Sequence, residues 1–141
     1  MSGSLPGVGK SKRAGATSWQ DHGKIRVLIA DDQFLLRAGL VTSINAEADM
    51  TVIAEANAAD EAIARYRTYE PDILVMDLKP SGGNGLTATV QIVREFPDAR
   101  IILSTYDGDD DIHRALRAGA RSYLLKTAQR EELLAVTKTL A

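Results

Sequence analysis

From Lys24 onward, short apolar runs alternate with longer segments in which apolar residues recur every three or four positions. The runs are typical of buried strands, and the spacing of three and four residues is typical of helices that cover a core. The sequence predicts five strands, at 25–30, 50–54, 73–76, 100–103 and 122–125. It predicts five helices, at 34–46, between Asn57 and Pro71, between Leu86 and Phe96, from Asp109 to Gly119 and at 129–140.

Capping residues and apolar spacing define the predicted helices more closely. Asn57 is a candidate cap of the second helix, and Pro71 stops that segment. The acidic run that begins at Asp109 suits the start of the fourth helix, and Gly119 suits its end. Apolar spacing marks the first helix through Leu36, Leu40, Val41 and Ile44, and the third through Leu86, Val90 and Val93. In the fifth helix, Leu133, Val136 and Leu140 are expected to face inward.

The alternation of strands and helices predicts a parallel sheet with helices on both faces. The strands are almost continuously apolar, which is expected when both faces of a sheet are covered. Because crossovers between parallel strands are right-handed, few topologies remain. The predicted fold class is α/β, a doubly wound five-stranded parallel sheet with five helices.

Composition narrows the classes of function. The chain has 141 residues, of which 45% are hydrophobic, enough for the core of one domain. No apolar run approaches the roughly 18 residues of a membrane span. The absence of cysteine excludes a disulfide scaffold, a thiol nucleophile and a zinc site built on cysteine, and it fits a cytoplasmic protein. A net charge of −2 gives no electrostatic case for nucleic-acid binding by this chain.

Residues 1–23 are rich in glycine and serine, and we expect them to form a flexible leader before one domain at 24–141. Within the leader, Pro6–Ser11 resembles the end of a phosphate-binding P-loop. That motif needs a glycine where Ser4 stands, and it needs a buried strand before it. We therefore reject a P-loop at this position.

Polar side chains follow four of the predicted strands: Asp31 and Asp32 after the first, Asp77 after the third, Ser104 after the fourth and Lys126 after the fifth. The carboxyl ends of parallel strands meet at one edge of the sheet, so these side chains should converge. Three crowded carboxylates repel one another and need a cation or raised pKa values. Oxygen ligands suit Mg²⁺, and a lysine beside the metal suits a phosphoryl group. A carboxylate held in this way is a candidate nucleophile that forms an aspartyl phosphate.

Each of these residues alone also has a plainer interpretation. Asp32 can cap the first helix, and Asp77 can be a solvated acid at the end of a strand. Ser104 can be an ordinary turn residue, and Lys126 can be a surface lysine. Tyr123 can be a half-buried aromatic of the last strand. Only the combination points to phosphoryl chemistry.

Five motifs occur in order along residues 25–140: Leu28–Asp32, Val75–Leu78, Ile101–Thr105, Ala118–Ala120 and Tyr123–Lys126. Their order and intervals resemble the receiver domain of two-component response regulators. The stretch from Ser104 to Lys126 is most similar to the NarL/LuxR branch of that family. The resemblance implies a flavodoxin-like, CheY-like fold with the strand order 2-1-3-4-5.

The resemblance also implies an acceptor and a metal site. Asp77 would be the phosphoacceptor and part of a Mg²⁺ site. Asp32 would bind the ion directly, and Asp31 would act through a bound water. The backbone carbonyl of Lys79 would complete the ligands that the protein supplies.

Three further residues receive roles from the resemblance. Lys126 would pair with the acyl phosphate, Ser104 would be the switch hydroxyl, and Tyr123 would be the aromatic that follows it inward. The phosphoryl donor would be a phosphohistidine on a sensor histidine kinase. Phosphorylation would then favour one arrangement of the face formed by the fourth helix, fifth strand and fifth helix. Such a domain is expected to signal rather than to act as an enzyme.

Full members of the NarL/LuxR branch add a C-terminal helix-turn-helix domain that binds DNA and controls transcription. The 141 residues leave no room for one, so we expect either a receiver from a longer regulator or a stand-alone receiver. A homodimer formed on phosphorylation is possible through the first and fifth helices or through the fourth and fifth. We expect this chain itself to contact neither nucleic acid nor membrane.

Three positions depart from the family pattern. Pro80 stands one residue earlier than the usual proline, which bears on the direction of the Lys79 carbonyl. Thr127 follows Lys126 where many receivers have proline, a difference we attribute to the subfamily. Lys79 and Tyr106, each two residues beyond a central site residue, could shield the acyl phosphate from water.

Three alternatives were weighed against this interpretation. Phosphatases of the haloacid dehalogenase class place two acids two residues apart, whereas Asp31 and Asp32 are adjacent. A flavin-binding module of the same strand order needs a loop rich in hydroxyl groups and glycine after the first strand, and two acids would repel its phosphate. A degenerate receiver that works as an interaction module without phosphorylation is the alternative that Pro80 leaves open.

Overall fold

The computed structural model describes residues 23–79, 84–106 and 109–141. Residues 1–22 of the predicted leader, with the motif at Pro6–Ser11, and the displaced Pro80 lie outside the described residues. Ten elements alternate within the described part: β1 (Ile25–Ala30), α1 (Phe34–Asn45), β2 (Met50–Ala56), α2 (Ala59–Tyr69), β3 (Ile73–Asp77), α3 (Gly85–Glu95), β4 (Ile101–Thr105), α4 (Asp109–Ala118), β5 (Ser122–Leu125) and α5 (Arg130–Leu140).

The five strands form one parallel sheet in the order β2-β1-β3-β4-β5. This confirms the predicted doubly wound α/β class and the strand order 2-1-3-4-5. The register between β1 and β2 shifts once, because Val27 pairs with Val52 whereas Leu28 pairs with Ala54. No helix within 23–79, 84–106 or 109–141 is long and apolar enough to cross a membrane.

Two apolar layers cover the sheet, and strand residues alternate between them. The first core layer lies between the sheet and α2, α3 and α4, and its strand residues include Leu28, Leu74, Met76, Ile101 and Leu103. The second core layer lies between the sheet and α1 and α5, and its strand residues include Val27, Ile29, Val75, Ile102 and Leu124. The strands are therefore apolar along their length because both of their faces are covered.

Most predicted boundaries agree with the structure to within one or two residues. The helix α2 ends at Tyr69, two residues before Pro71, and α4 ends where Gly119 adopts a φ of +112°. The strand β2 continues two residues beyond its predicted end, because Glu55 and Ala56 still pair with β1. A charged residue such as Glu55 on an edge strand carries no signal of pairing in the sequence.

One prediction about a helix cap was wrong. Asn57 does not cap α2; Ala58 is in the capping position, and the backbone N–H of Asn57 instead donates to the Glu61 carboxylate at 2.7 Å. Val90, one of the apolar residues that mark α3, is 38% exposed. Three of the four buried residues of α3 are small, namely Gly85, Ala88 and Thr89, and the fourth is Ile92. The small residues allow the helix to approach the sheet closely.

The first residue of α3 touches the end of β3. A Cβ atom at Gly85 would lie 2.3 Å from the backbone oxygen of Asp77 and 2.7 Å from that of Leu78. The N–H of Gly85 donates to that Leu78 oxygen at 3.0 Å, and the side chain of Asn84 caps the helix. Only glycine fits this position, so α3 holds the backbone of Asp77 in place.

Candidate functional site: an acidic pocket at the carboxyl edge of the sheet

Strand register brings the predicted site residues together. Asp77 pairs with Ser104, and Ser104 in turn pairs with Leu124, two residues before Lys126. Ala30 pairs with Met76, so Asp31 is the next residue beside Asp77. Because side chains alternate along a strand, the residues at 31, 77, 104 and 126 all share the direction of the second core layer. The candidate site therefore lies at the end of that layer where the strands have their carboxyl ends.

Two buried carboxylates flank one ammonium group in this pocket. Asp31 and Asp77 are 2% and 4% exposed. The Nζ of Lys126 lies 3.1 Å from Oδ1 of Asp77 and 3.2 Å from Oδ2 of Asp31, and its side chain is only 4% exposed. Asp32 is exposed at the rim. The convergence predicted from the sequence is thus observed for four of the residues that define it.

Burial and charge act in opposite directions on these groups. Burial raises the pKa of Asp77, whereas the backbone N–H of Lys79 and the ammonium of Lys126 lower it. The charge of Asp31 raises this pKa further, and the result is a pKa above the usual value for aspartate. Burial lowers the pKa of Lys126, but Asp77 and Asp31 outweigh this effect and the resulting pKa is raised. Lys126 is therefore firmly held in its charged form.

The three carboxylates form a candidate cation site. Asp31, Asp32 and Asp77 each offer an oxygen, and these atoms lie within 4.8 Å of one another. It is the only such group of acids or histidines in the described ranges. A donor set made only of oxygen fits Mg²⁺ and does not fit a soft metal. The surrounding cavity of about 310 Å³ leaves room for water or a phosphoryl group.

The structure adds two residues to the site that sequence reasoning did not place there, Gln33 and Arg37. The side-chain oxygen of Gln33 accepts hydrogen bonds from Lys126 at 2.9 Å and from the hydroxyl of Tyr106 at 3.0 Å. Arg37 donates to the backbone oxygen of Asp31 at 2.6 Å and to Glu55 at 3.0 Å. The only available signal was that Gln33 follows the acid pair directly.

The remaining predicted site residues lie around the pocket rather than in it. Ser104 is buried, its hydroxyl makes no hydrogen bond with the described residues, and it lines a groove between α1 and α5. Tyr123 points to the opposite side of β5 from Leu124 and is 41% exposed. The Lys79 backbone N–H donates to Asp77 at 3.0 Å, and its Nζ lies 3.8 Å from Asp111. The metal-binding role of the Lys79 carbonyl stays a prediction.

A CheY-like α/β sheet with acids and a lysine at its carboxyl edge is the architecture that this structure defines. The chain belongs to the response regulator receiver domain family, whose model matches residues 27–138. Its relatives place it in the NarL/LuxR-type branch, as the sequence motifs predicted.

Curated relatives include the oxygen regulatory protein NreC of Staphylococcus carnosus. It is 39% identical over 117 residues, which cover 82% of this chain and 54% of NreC. The NreC protein of Staphylococcus haemolyticus has the same identity and coverage. The chain therefore spans about half the length of the curated relatives that it matches.

Solved structures agree with this assignment. A LuxR-family two-component response regulator from Aurantimonas sp. is 35% identical, with a TM-score of 0.78 over 83% of this chain and 85% of that one. The signal receiver domain of the putative response regulator NarL from Mycobacterium tuberculosis is 27% identical, with a TM-score of 0.74 over 82% of this chain and 97% of that one. The family assignment leaves the phosphatase and flavin-binding alternatives without support.

Proposed function

We propose that this receiver domain accepts a phosphoryl group on Asp77 from a phosphohistidine of a sensor histidine kinase. One observation carries the proposal: Asp77 is buried 3.1 Å from Lys126, in the same pocket as Asp31 and Asp32. A carboxylate oxygen of Asp77 would attack phosphorus as the bond from phosphorus to the imidazole nitrogen breaks. The nitrogen keeps the electron pair, and an acyl phosphate forms.

Hydrogen bonding supports one oxygen of Asp77 as the attacking atom. Oδ1 accepts from the Lys79 N–H and contacts Lys126. Oδ2 has no such partner among the residues that the structure describes. Because Lys79 and Lys126 hold Oδ1 whereas no described residue holds Oδ2, Oδ2 is the better candidate for the nucleophile. Lys126 remains beside the acceptor to pair with the charge of the transferred group.

Mg²⁺ is the cofactor that the donor set supports. Asp32 would bind the ion directly, Asp31 through a water, and Asp77 and the Lys79 carbonyl would complete the site. When bound, the ion would neutralise the crowded carboxylates and the incoming phosphoryl group.

Signal output would use Ser104 and Tyr123. Ser104 lies beside Asp77 in register, with its buried hydroxyl unpaired within the described part of the chain, so it is available to a phosphoryl oxygen. Tyr123 would move inward as Ser104 moves, which changes the face formed by α4, β5 and α5. Because the chain spans 54% of the length of NreC, we propose that the full regulator adds a C-terminal helix-turn-helix domain that controls transcription. A homodimer formed on phosphorylation and a cytoplasmic location complete the proposal.

The test is phosphorylation by a small donor. The chain is incubated with Mg²⁺ and acetyl phosphate, and its intact mass is measured. We expect a single phosphoryl adduct that is absent from an Asp77→Asn variant and present in an Asp98→Asn variant, whose altered acid is exposed far from the pocket. No adduct on the unaltered chain would instead favour the degenerate receiver.

Shielding of the acyl phosphate by Lys79 and Tyr106 remains part of the proposal. The Nζ of Lys79 extends across the pocket toward Asp111, and the Tyr106 ring lies 5.2 Å from the Lys126 Nζ. Both side chains therefore border the space through which water would approach. A Lys79→Ala, Tyr106→Ala double variant should lose its phosphoryl group faster, and an unchanged rate of dephosphorylation would refute the shielding role.

A further inference from the structure

The ammonium group of Lys126 is surrounded by three oxygen atoms in this structure. An ammonium has three protons to donate and cannot accept. Three oxygens surround the Nζ of Lys126: Oε1 of Gln33 at 2.9 Å, Oδ1 of Asp77 at 3.1 Å and Oδ2 of Asp31 at 3.2 Å. These three oxygens already occupy the surroundings of the ammonium, and Gln33 is the one that accepts its hydrogen bond, so a phosphoryl oxygen would compete with these partners for Lys126.

The three partners are not equally strong. Hydrogen bonds from an ammonium to a carboxylate have charge on both sides, whereas the amide oxygen of Gln33 is neutral. The two acids are also buried, while Gln33 is exposed at the pocket mouth. Gln33 is therefore both the weakest partner and the one with an open path for leaving.

Gln33 is nevertheless held firmly in the resting state. Its backbone N–H donates to Oδ1 of Asp31 at 2.8 Å, and its backbone oxygen accepts from the N–H of Arg37 at 2.9 Å. Its side-chain oxygen also accepts from the Tyr106 hydroxyl at 3.0 Å. The position of Gln33 over Lys126 is thus supported from β1, from α1 and from the end of β4.

We propose that Gln33 is a positioning residue that occupies the place on Lys126 later taken by a phosphoryl oxygen. When the phosphoryl group arrives, the side-chain oxygen of Gln33 leaves Lys126. The hydrogen bond from the Tyr106 hydroxyl to that same oxygen is then disturbed. Tyr106 directly follows β4, so this exchange links the occupancy of Asp77 to the start of the connection toward α4. The exchange step rests on the proposed function, whereas the resting contact does not.

The resting contact is tested first, without metal or phosphoryl donor. Nitrogen-15-edited proton NMR spectra of the lysine ammonium groups report how fast the protons of each group exchange with water. Gln33→Met keeps the length of the side chain and removes its oxygen. We expect the Lys126 ammonium to exchange about threefold to tenfold faster in this variant, since one hydrogen bond is lost.

Two controls accompany this measurement. The ammonium of Lys138, which pairs with Glu47 at 2.9 Å, should be unchanged in the same spectrum. Gln129→Met replaces an exposed glutamine whose side chain makes no capping bond and should leave Lys126 unchanged. Unchanged exchange of Lys126 in Gln33→Met would overturn the proposal.

The exchange step is tested with Mg²⁺ and beryllofluoride, a phosphoryl mimic. Gln33→Met should bind beryllofluoride about threefold to tenfold more tightly, because no hydrogen bond to Gln33 must be broken. Tyr106→Phe should have a smaller effect in the same direction, and the double variant should equal Gln33→Met. Equal or weaker binding by Gln33→Met would overturn the exchange. If the unaltered chain neither binds beryllofluoride nor gains a phosphoryl group, the proposed function fails as well, and the ammonium spectra still decide the resting contact.

Discussion

The two core layers on either side of the sheet differ in how completely they are closed. In the first core layer, α3 buries Ala88, Thr89 and Ile92, and the rings of Tyr66 and Phe96 lie 5.1 Å apart. In the second core layer, α1 buries only Ile44. A groove of about 220 Å³ remains between α1 and α5, and nearby Leu35 is 82% exposed.

The difference follows from where the chemistry lies. The residues at 31, 77, 104 and 126 point to the same side of the sheet as the second core layer. At the carboxyl end of the strands, polar groups therefore stand where apolar side chains would otherwise complete that layer. Helices cannot pack apolar side chains against carboxylates without a desolvation cost. The layer that holds the site is therefore the less tightly packed one, and three comparisons between the layers and one titration within the first core layer test this.

The largest expected effect is loss of a core side chain. Ile92→Ala in α3 should lower the free energy of unfolding by about 2–5 kcal/mol, because Ile92 is fully enclosed in the first core layer. Leu36→Ala, in the groove beside α1, should cost less than about 1.5 kcal/mol. Urea unfolding measures both, with Val90→Ala as the exposed control on α3. Equal losses at positions 92 and 36 would contradict the comparison.

The second effect concerns pH and the closed layer. Burial, with the charges of Glu70 and Asp72, raises the pKa of Tyr66 to about 12 against a smaller opposing effect of Arg100. The stability that comes from the neutral phenol should be complete below pH 10 and should be lost as the pH rises through about 12. A shift of this size corresponds to about 2–3 kcal/mol.

Absorbance titration of the phenolate measures this directly. One of the four tyrosines should ionise with a pKa of about 12, and Tyr66→Phe should remove that step. The difference in unfolding free energy between the two proteins should change with pH only in the alkaline range. Absence of a late ionisation would show that Tyr66 is open to water.

The third comparison uses two helical glycines. Gly85→Ala places a Cβ against the backbone of Asp77 and Leu78, and we expect a loss of about 2 kcal/mol. Gly39→Ala in α1 meets nothing within 4 Å, so its better helix propensity should add about 0.5–1 kcal/mol. Thermal unfolding of both variants checks the opposite signs. A stabilised Gly85→Ala variant would mean that α3 does not approach β3 closely.

The smallest effect is expected for buried hydroxyls. Thr89 in α3 and Thr137 in α5 are fully buried, and each donates to the backbone oxygen four residues earlier at 2.8 Å. Replacement of either by valine should change stability by about 1 kcal/mol or less, to the same extent in both layers. Denaturant midpoints compare them. A large difference in stability between the two valine variants would show that the layers also differ in their polar groups and not only in their apolar packing.

Local patterns in the sequence were sufficient for the sheet and for the convergence of its edge residues. The strands at Ile25–Ala30 and Ser122–Leu125 were predicted with the observed bounds, because apolar runs beside polar residues mark buried strands well. Strand order then follows from chain chirality and the family motifs. Asp31, Asp77 and Lys126 meet because their strands are neighbours.

The rest depends on contacts that no local pattern encodes. The bonds of Gln33 to Tyr106 and to Lys126 join residues 73 and 93 positions apart. The burial of Gly85, Ala88 and Thr89 in α3 follows from the close approach at Gly85, which the apolar spacing of Leu86, Val90 and Val93 does not reveal. Each of these features requires the assembled fold.

The close contact between Gly85 and the backbone of Asp77 has a mechanical consequence. A helix that begins against the carbonyl of Asp77, the proposed phosphoacceptor, leaves that part of the main chain no space in which to move toward the helix. Any displacement that a new group on Asp77 produces must therefore be taken up by neighbouring strands. The strand β3 lies at the centre of the sheet with β1 and β4 as its neighbours, so the movement reaches an edge strand through two strands in either direction. The close contact at Gly85 therefore restricts movement of the Asp77 backbone toward α3 and directs it toward the other strands.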